Sequence, residues 1–124
     1  MHELSMAEGI LKAVIENAEK SGATEVIEVT IEIGKLALLN PEQLKFLLDV
    51  LVEDTIANGA KFIMEEIPIE IECGECDYVG IAKGDDLDHY TPIVECPKCE
   101  SKIVNVTNGK DCIVKNIIIE KPDD

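Results

Sequence analysis

Four cysteines in this chain stand in two C-x-x-C pairs. The pairs are Cys73 with Cys76 and Cys96 with Cys99, and 19 residues separate them. A C-x-x-C loop turns tightly enough for two thiolates to share one metal ion, and two such loops complete a tetrahedral sulfur site. Gly74 and Pro97 favour the turns. Four thiolates leave no open coordination position, so the pattern predicts a structural Zn²⁺ rather than a catalytic one.

The same residues leave two other chemistries open. Four thiolates can bind iron, which would colour the protein. Two C-x-x-C pairs can also serve a thiol oxidoreductase, although redox pairs usually lie at helix N-termini in a βαβ setting, which this sequence does not predict. The fifth cysteine, Cys112, lies among apolar residues. We interpret it as a small buried hydrophobe.

A second group of candidate ligands lies at the amino terminus, which reads MHELS. The α-amine of Met1, the amide nitrogen of His2 and the Nδ1 atom of His2 could close two chelate rings on one ion. The amide of Glu3 or another residue could supply a fourth nitrogen. Such a nitrogen-rich, roughly planar set suits Ni²⁺ or Cu²⁺. Because a histidine near a terminus is common by chance, the residues alone leave this second metal site open.

The composition excludes several classes of protein. The 124 residues carry a formal net charge of −15, from 11 basic and 26 acidic side chains. This charge argues against binding to nucleic acid or to an anionic membrane surface. No apolar run approaches the roughly 18–20 residues of a membrane span, and no signal peptide is evident. We therefore expect a cytoplasmic protein, in which disulfides are rare. The sequence offers no catalytic constellation, so we expect no enzyme activity.

Two helices are predicted. The first spans 5–20, with Ser5 and Glu8 as a capping box, and it leaves Met1 to Leu4 projecting from its start. The second begins at Asn40-Pro41, with asparagine at the cap and proline at the first helical position. Its apolar stripe consists of Leu44, Leu47, Leu48 and Leu51, and Gly59 follows its end.

Three β segments are predicted. Residues 25–33 alternate strictly, which places Ile27, Val29, Ile31 and Ile33 on one face. Residues 60–72 form the second segment, with a bend or edge at Pro68. The last strand is 112–120. The predicted fold is therefore α+β, with two helices packed on a small three-stranded sheet.

The cysteine pairs lie in an insert of different composition. Residues 73–107 contain few large apolar side chains, so the insert needs a metal ion to fold. We predict an α/β body made of 1–72 plus 108–124, and a zinc-ribbon-like module at 73–107.

Several stretches resemble the HypA family of hydrogenase nickel-incorporation (maturation) proteins. The resemblance begins with MHE at residues 1–3 and continues through IEIGKL at 31–36 and DTIANGAKFIMEE at 54–66. The two cysteine pairs and the C-terminal strand follow in the family's order. The resemblance covers nearly the whole chain.

The resemblance implies a nickel metallochaperone with two domains. Relatives deliver Ni²⁺ to the large subunit of [NiFe]-hydrogenase, work with the GTPase HypB, and in some cases also serve urease. The family's nickel site maps onto Met1, His2 and Glu3, within domain 1–72 plus 108–124. Its zinc ligands map onto Cys73, Cys76, Cys96 and Cys99 in domain 73–107. His89, in the stretch HYTP, resembles a further nickel ligand of archaeal members. A homodimer is left open.

One further interpretation remains beside the metallochaperone. A zinc-ribbon adaptor or a nucleic-acid-associated protein would need only the cysteine module and no nickel transfer. Few basic residues flank the cysteines, and no aromatic stacking platform for bases is evident.

Overall fold

The structure is a computed structural model that describes residues 2–82 and 94–122. Its helices are α1 (His2–Lys20) and α2 (Pro41–Leu51), with a 3₁₀ turn at Lys35–Ala37. Its strands are β1 (Glu25–Gly34), β2 (Lys61–Ile67), β3 (Glu70–Cys73), β4 (Val79–Ile81), β5 (Val104–Asn108) and β6 (Cys112–Glu120). They form two three-stranded sheets, ordered β2-β1-β6 and β4-β3-β5. None of the described helices is long and apolar enough to cross a membrane.

The chain divides into two compact units. The first comprises 1–32, 39–65 and 113–124, and the second comprises 33–38 and 66–112. The second unit therefore extends on both sides of the predicted module at 73–107. It includes the whole of β3 and a short segment from the end of β1. The assignment of nickel to one domain and zinc to the other stays a prediction.

Helix α1 begins earlier than predicted. It starts at His2, so Ser5 and Glu8 lie inside the helix, and the predicted capping box is wrong. The carboxylate of Glu3 instead accepts a hydrogen bond from the backbone N–H of Asn40, at 3.3 Å. An acidic side chain in the first turn also offsets the positive end of the helix dipole. This contact between residues far apart in sequence holds the first turn.

The start of α2 is as predicted. The Asn40 side chain accepts hydrogen bonds from the backbone N–H groups of Glu42 and Gln43, at 3.0 and 3.1 Å. Pro41 occupies the first turn, where its missing N–H costs nothing. Leu44 and Leu48 are fully buried. The helix packs against α1 within the first unit.

The inward face of β1 differs from the prediction. The buried residues are Val26, Val29, Ile31 and Ile33, whereas Ile27 is 42% exposed. The alternation therefore breaks between Val26 and Val29. Side chains alternate with a period of two, so a shift of one residue moves a side chain to the other face. Both Val26 and Ile27 are apolar, and hence the sequence pattern could not choose between them.

The predicted β segment at 60–72 divides at Pro68 into β2 and β3. The two strands belong to different sheets. Proline cannot donate to a strand ladder, which favours a break at this position. The prediction of a bend is confirmed, and the second sheet is an element that the sequence analysis did not predict.

The stretch IEIGKL connects the end of β1 to the second unit. The backbone N–H of Gly34 donates to the carbonyl of Asp111 at 2.8 Å, and that of Leu36 donates to the carbonyl of Gly109 at 2.9 Å. A Cβ atom on Gly34 would overlap the Gly109 backbone. Glycine is therefore required at position 34 by the close approach of two backbones.

We predict that Asn40→Ala lowers the free energy of unfolding by about 1 kcal/mol, because two N–H groups of α2 lose their acceptor. Asn40→Ser retains a capping oxygen and should cost less. Urea denaturation followed by circular dichroism at 222 nm measures both changes. Equal stability of wild type and Asn40→Ala would contradict the proposed role of the cap.

Candidate metal centre

Strand β3 carries the first cysteine of the centre. It pairs antiparallel with β4 on one side and with β5 on the other, and Cys73, its last residue, lies opposite Val104. Cys73 therefore lies at the end of a paired strand, immediately before the first C-x-x-C loop.

The first C-x-x-C loop is closed by backbone hydrogen bonds. The N–H of Cys73 donates to the carbonyl of Tyr78 at 3.0 Å, and the N–H of Glu75 lies 3.4 Å from the Cys73 sulfur. The N–H of Gly74 donates to the carbonyl of Ile103 at 2.8 Å. A Cβ at Gly74 would lie 2.9 Å from the same carbonyl oxygen, so glycine permits this approach.

The second C-x-x-C loop has a similar closure. The N–H of Cys96 donates to the carbonyl of Ser101 at 2.9 Å, and the N–H of Glu100 donates to the carbonyl of Cys96 at 2.8 Å. Glu100 adopts a left-handed conformation with φ of 62°. These two bonds fold the chain back so that Cys96 and Cys99 point toward the same place.

The two loops bring all four predicted zinc ligands together. The Sγ atoms of Cys73, Cys76, Cys96 and Cys99 all lie within 4.8 Å of one another. The Cys73–Cys99 and Cys76–Cys96 sulfur distances are both 3.6 Å. Four sulfurs placed tetrahedrally about 2.3 Å from Zn²⁺ would stand roughly 3.8 Å apart. The cluster could therefore hold a metal ion such as zinc with little rearrangement.

The cluster adjoins a small apolar core. Ile69, Ile71, Ala82 and Cys96 are its buried members. The partly buried residues packed against it are Leu36, Cys73, Cys76, Tyr78, Val94, Val104 and Val106. Cys96 is completely buried, whereas Cys99 is exposed. A core of this size supplies little stabilisation, so we expect a metal ion at the cluster to contribute to the stability of the second unit.

The thiols of the cluster differ in acidity. Burial raises the pKa of Cys96, but hydrogen bonds from the backbone N–H groups of Cys99 and Lys98 and from the thiols of Cys76 and Cys99 together outweigh burial and lower that pKa to about 7. The backbone N–H of Ser101 lowers the pKa of Cys99, but partial desolvation of this exposed residue's thiol and the neighbouring cysteine sulfurs raise it to about 12. A divalent cation at the centre of the cluster would favour the ionised form of both thiols.

Cys112 lies outside the cluster, as predicted. It is half-buried at the start of β6 rather than fully buried, and burial raises the pKa of its thiol. A raised pKa reduces the thiolate fraction that a nucleophile or a metal ligand requires. Its position indicates a packing residue.

Most of the predicted nickel ligands fall outside the described structure. Met1, the side chain of His2 and residues 83–93, which include His89, lie outside the part of the chain that the structure describes. Glu3 is described, and its carboxylate contacts the backbone of Asn40. The nickel site at Met1, His2 and Glu3, with His89 as a further ligand, stays a prediction.

Comparison with known proteins decides the family. Residues 1–119 match the family described as "Hydrogenase/urease nickel incorporation, metallochaperone, hypA". The chain belongs to the HypA family. It is 64% identical over 124 residues to the hydrogenase maturation factor HypA of Methanobrevibacter smithii, covering 100% of this chain and 99% of that protein. It is 56% identical over 123 residues to the factor of Methanothermobacter thermautotrophicus, covering 99% and 100%.

The fold agrees with this membership. The solution structure of the Ni metallochaperone HypA from Helicobacter pylori matches with a TM-score of 0.68 at 21% identity, covering 97% of this chain and 98% of that one. At this identity the match concerns the fold alone. The predicted α+β class and the resemblance to HypA are confirmed. The family acts in nickel incorporation during hydrogenase maturation as a metallochaperone.

We predict that removing the metal with a chelator unfolds the second unit selectively. Backbone amides of the described residues in 66–112 should lose protection against hydrogen exchange, while those of α1 and α2 keep it, because the helices have their own buried core. Cys96→Ser should give the same pattern without chelator, and Cys112→Ser should not. Unchanged protection of β3 and β5 after complete metal removal would contradict this dependence.

We predict that zinc affinity falls as the pH is lowered from 8 to 6. Cys99 keeps its proton at these pH values, and metal binding must displace it, so the apparent affinity should change about tenfold or more per pH unit. Competition with a chromophoric zinc chelator at several pH values measures this slope. Cys112→Ser should show the same slope, and an affinity independent of pH would refute the argument.

Proposed function

We propose that this chain binds Ni²⁺ at its amino terminus and delivers it to the large subunit of [NiFe]-hydrogenase. Membership of a nickel-incorporation family over residues 1–119, which include the MHE terminus, carries the proposal. The ligands are the Met1 amine and the amide and imidazole nitrogens of His2, completed by Glu3. His89 is a candidate ligand that joins in some states.

The start of α1 supports ligation by backbone nitrogens. The first N–H groups of a helix have no carbonyl partner within that helix. Because α1 begins at His2, ligation through the amides of His2 and Glu3 would break no hydrogen bond of the helical ladder. The nitrogens can exchange a proton for a metal ion while the rest of the helix stays folded.

The contact of Glu3 suggests how its side chain contributes. Its carboxylate already accepts a hydrogen bond from the Asn40 backbone. We therefore assign nickel ligation at this position to the amide nitrogen, and we assign to the carboxylate the task of orienting the first turn. A carboxylate near the site also lowers the cost of bringing a cation to the positive end of a helix.

The proposal also assigns roles to a second metal ion and to partner proteins. Zn²⁺ at the four cysteines is structural and is not transferred. Delivery involves a HypB-like GTPase and the hydrogenase large subunit in the cytoplasm, and urease is an alternative client. We propose that neither nucleic acid nor a membrane is a partner. A homodimer is compatible with the proposed nickel delivery.

We predict that zinc-loaded protein with a free amino terminus binds one Ni²⁺. His2→Ala should weaken this binding by at least about a hundredfold, because chelate rings and a nitrogen donor are lost together. A chain with one extra residue before Met1 should lose binding in the same way. Isothermal titration calorimetry measures both, and zinc content serves as the control for folding.

The outcomes separate the alternatives. Equal nickel binding by wild type, His2→Ala and the extended chain would exclude the amino terminus as the site, and His89→Ala would then be tested. Absence of nickel binding by the wild type would favour the zinc-ribbon adaptor. Because the ligands must lose protons, affinity should fall as the pH is lowered.

A further inference from the structure

Two asparagines in this chain are followed directly by glycine. The pairs are Asn58-Gly59 and Asn108-Gly109. In an Asn-Gly pair the backbone nitrogen of the glycine can attack the Cγ atom of the asparagine side chain, because glycine has no Cβ atom to obstruct the approach. Asparagine is one of the thermally labile residues. The two dipeptides are identical, so a large difference in reactivity between them must come from the fold.

The reaction is an intramolecular substitution followed by hydrolysis. A bond forms between the glycine nitrogen and the asparagine Cγ atom, the glycine nitrogen loses its proton, and the side-chain nitrogen leaves as ammonia. One water molecule then opens the resulting succinimide ring at either of its two carbonyl carbons. Opening at one carbon gives aspartate. Opening at the other gives isoaspartate, whose backbone contains one additional carbon atom.

Asn58 lies in an exposed turn between α2 and β2. The Ala60 N–H donates to the Ala57 carbonyl at 3.0 Å. This bond closes a β-turn in which Asn58 and Gly59 are the two central residues. Gly59 has a φ of 86°, and a Cβ atom there would meet nothing within 4 Å. Among the described residues, neither the Asn58 side chain nor the Gly59 N–H has a hydrogen-bond partner.

The peptide unit that joins Asn58 to Gly59 is therefore free to rotate when one surface hydrogen bond of the turn opens. Attack requires the glycine nitrogen to approach Cγ to about 3–3.5 Å, with the nitrogen's out-of-plane orbital facing that carbon. Exposed turns open at a small fraction of the free energy of global unfolding. The folded protein can thus reach the reactive geometry at this turn.

Asn108 is held by contacts that the other pair lacks. Its Nδ2 atom donates to the Glu70 carboxylate at 3.1 Å, and its Oδ1 atom accepts from the Gly109 N–H at 2.9 Å. Because that N–H points at the oxygen, the out-of-plane orbital of the nitrogen does not face Cγ. Gly109 is buried, and its carbonyl accepts from the Leu36 N–H at 2.9 Å. A Cβ atom on Gly109 would overlap the backbone of Pro68, so this peptide unit has no room to rotate.

We propose that Asn58 is a site of spontaneous deamidation in the folded protein and that the fold protects Asn108. The modification adds one negative charge to a chain whose net charge is −15. It needs only water and no enzyme. Because ammonia leaves, the product accumulates as the molecule ages. This inference goes beyond nickel delivery and does not depend on it.

The isoaspartate product alters the turn more than the aspartate product does. Its additional backbone carbon lies inside the ring that the hydrogen bond between Ala57 and Ala60 closes, so the geometry of that bond is lost. Both alanines are buried. The neighbouring Ile56 carbonyl accepts a hydrogen bond from the Val26 N–H of β1 at 2.9 Å. We therefore expect isoaspartate at position 58 to loosen the connection between α2 and β2.

The experiment compares the two pairs within one molecule. The full zinc-loaded chain is incubated in warm, mildly alkaline buffer, and peptide mapping by mass spectrometry measures conversion at each asparagine over time. The protease Asp-N cuts before aspartate but not before isoaspartate, and so distinguishes the two products. A parallel sample in urea gives the reactivity of both pairs without the fold. Asn58→Gln is the matched variant, because its longer side chain cannot close the five-membered ring.

We expect Asn58 to convert at least about tenfold faster than Asn108 in the folded chain, and both to convert at similar rates in urea. Asn58→Gln should show only the slow conversion at Asn108. Equal rates in the folded chain, faster conversion of Asn108, or conversion of neither asparagine before unfolding would overturn the proposal. Unequal rates in urea that match those of the folded chain would assign the difference to local sequence and would also overturn it.

A stability measurement tests the consequence for the turn. Ion exchange separates the converted chain by its additional charge, and Asn58→Asp carries the same charge without the additional backbone carbon. The isoaspartate form should unfold at a lower urea concentration than Asn58→Asp. Equal midpoints for the two would contradict the expected loosening of the connection between α2 and β2.

Discussion

The physical constraint on the second unit is the close approach of four cysteine thiols to one another. Sulfur atoms within 4.8 Å of one another cannot all ionise without a cation between them, and the high pKa of Cys99 expresses this constraint. A bound metal ion removes the conflict and joins two loops that are 19 residues apart in sequence. With the two loops joined, the residues that pack against the small core around Ile71 and Cys96 would be held in place.

The first unit is stabilised by an apolar core and not by a cysteine cluster. Its helices bury a conventional apolar core, with Val14, Leu44 and Leu48 among the fully buried side chains. The contact between the Glu3 carboxylate and the Asn40 backbone joins the first turn of one helix to the cap of the other. A nickel site at the terminus would thus rest on a helix start that a long-range contact orients. The buried core and the first turn of α1 are different parts of one unit.

The separation of tasks suits a metal carrier. A closed site of four thiolates binds its ion too firmly for transfer, whereas a site of terminal nitrogens can open when its first turn is disturbed. Protons would compete with metal at the cysteine cluster and at the proposed terminal site, since thiols, amide and imidazole bind metal in their deprotonated forms. The acidic surface adds a field that attracts cations and basic partners.

The sequence by itself determined the features that depend on residues close together in the chain, namely the C-x-x-C loops and the start of α2. The C-x-x-C spacing predicted the four cysteines whose sulfurs the structure brings together, because each loop closes within a few residues. Asn40-Pro41 set the start of α2 for the same reason. The nickel ligands Met1, His2 and His89 remain predictions from the sequence and from the family.

Only the tertiary structure decided the features that rest on distant partners. The start of α1 at His2 is tied to a contact with Asn40, which local capping signals could not reveal. The burial of Val26 in place of Ile27 follows from packing, since both residues satisfy an apolar pattern. The division of 60–72 between two sheets, and the pairing of Gly34 with Asp111, depend on strands from the far end of the chain. The sequence shows which residues are apolar and how they are spaced. The tertiary structure decides which of these residues are buried and which residues pack against them.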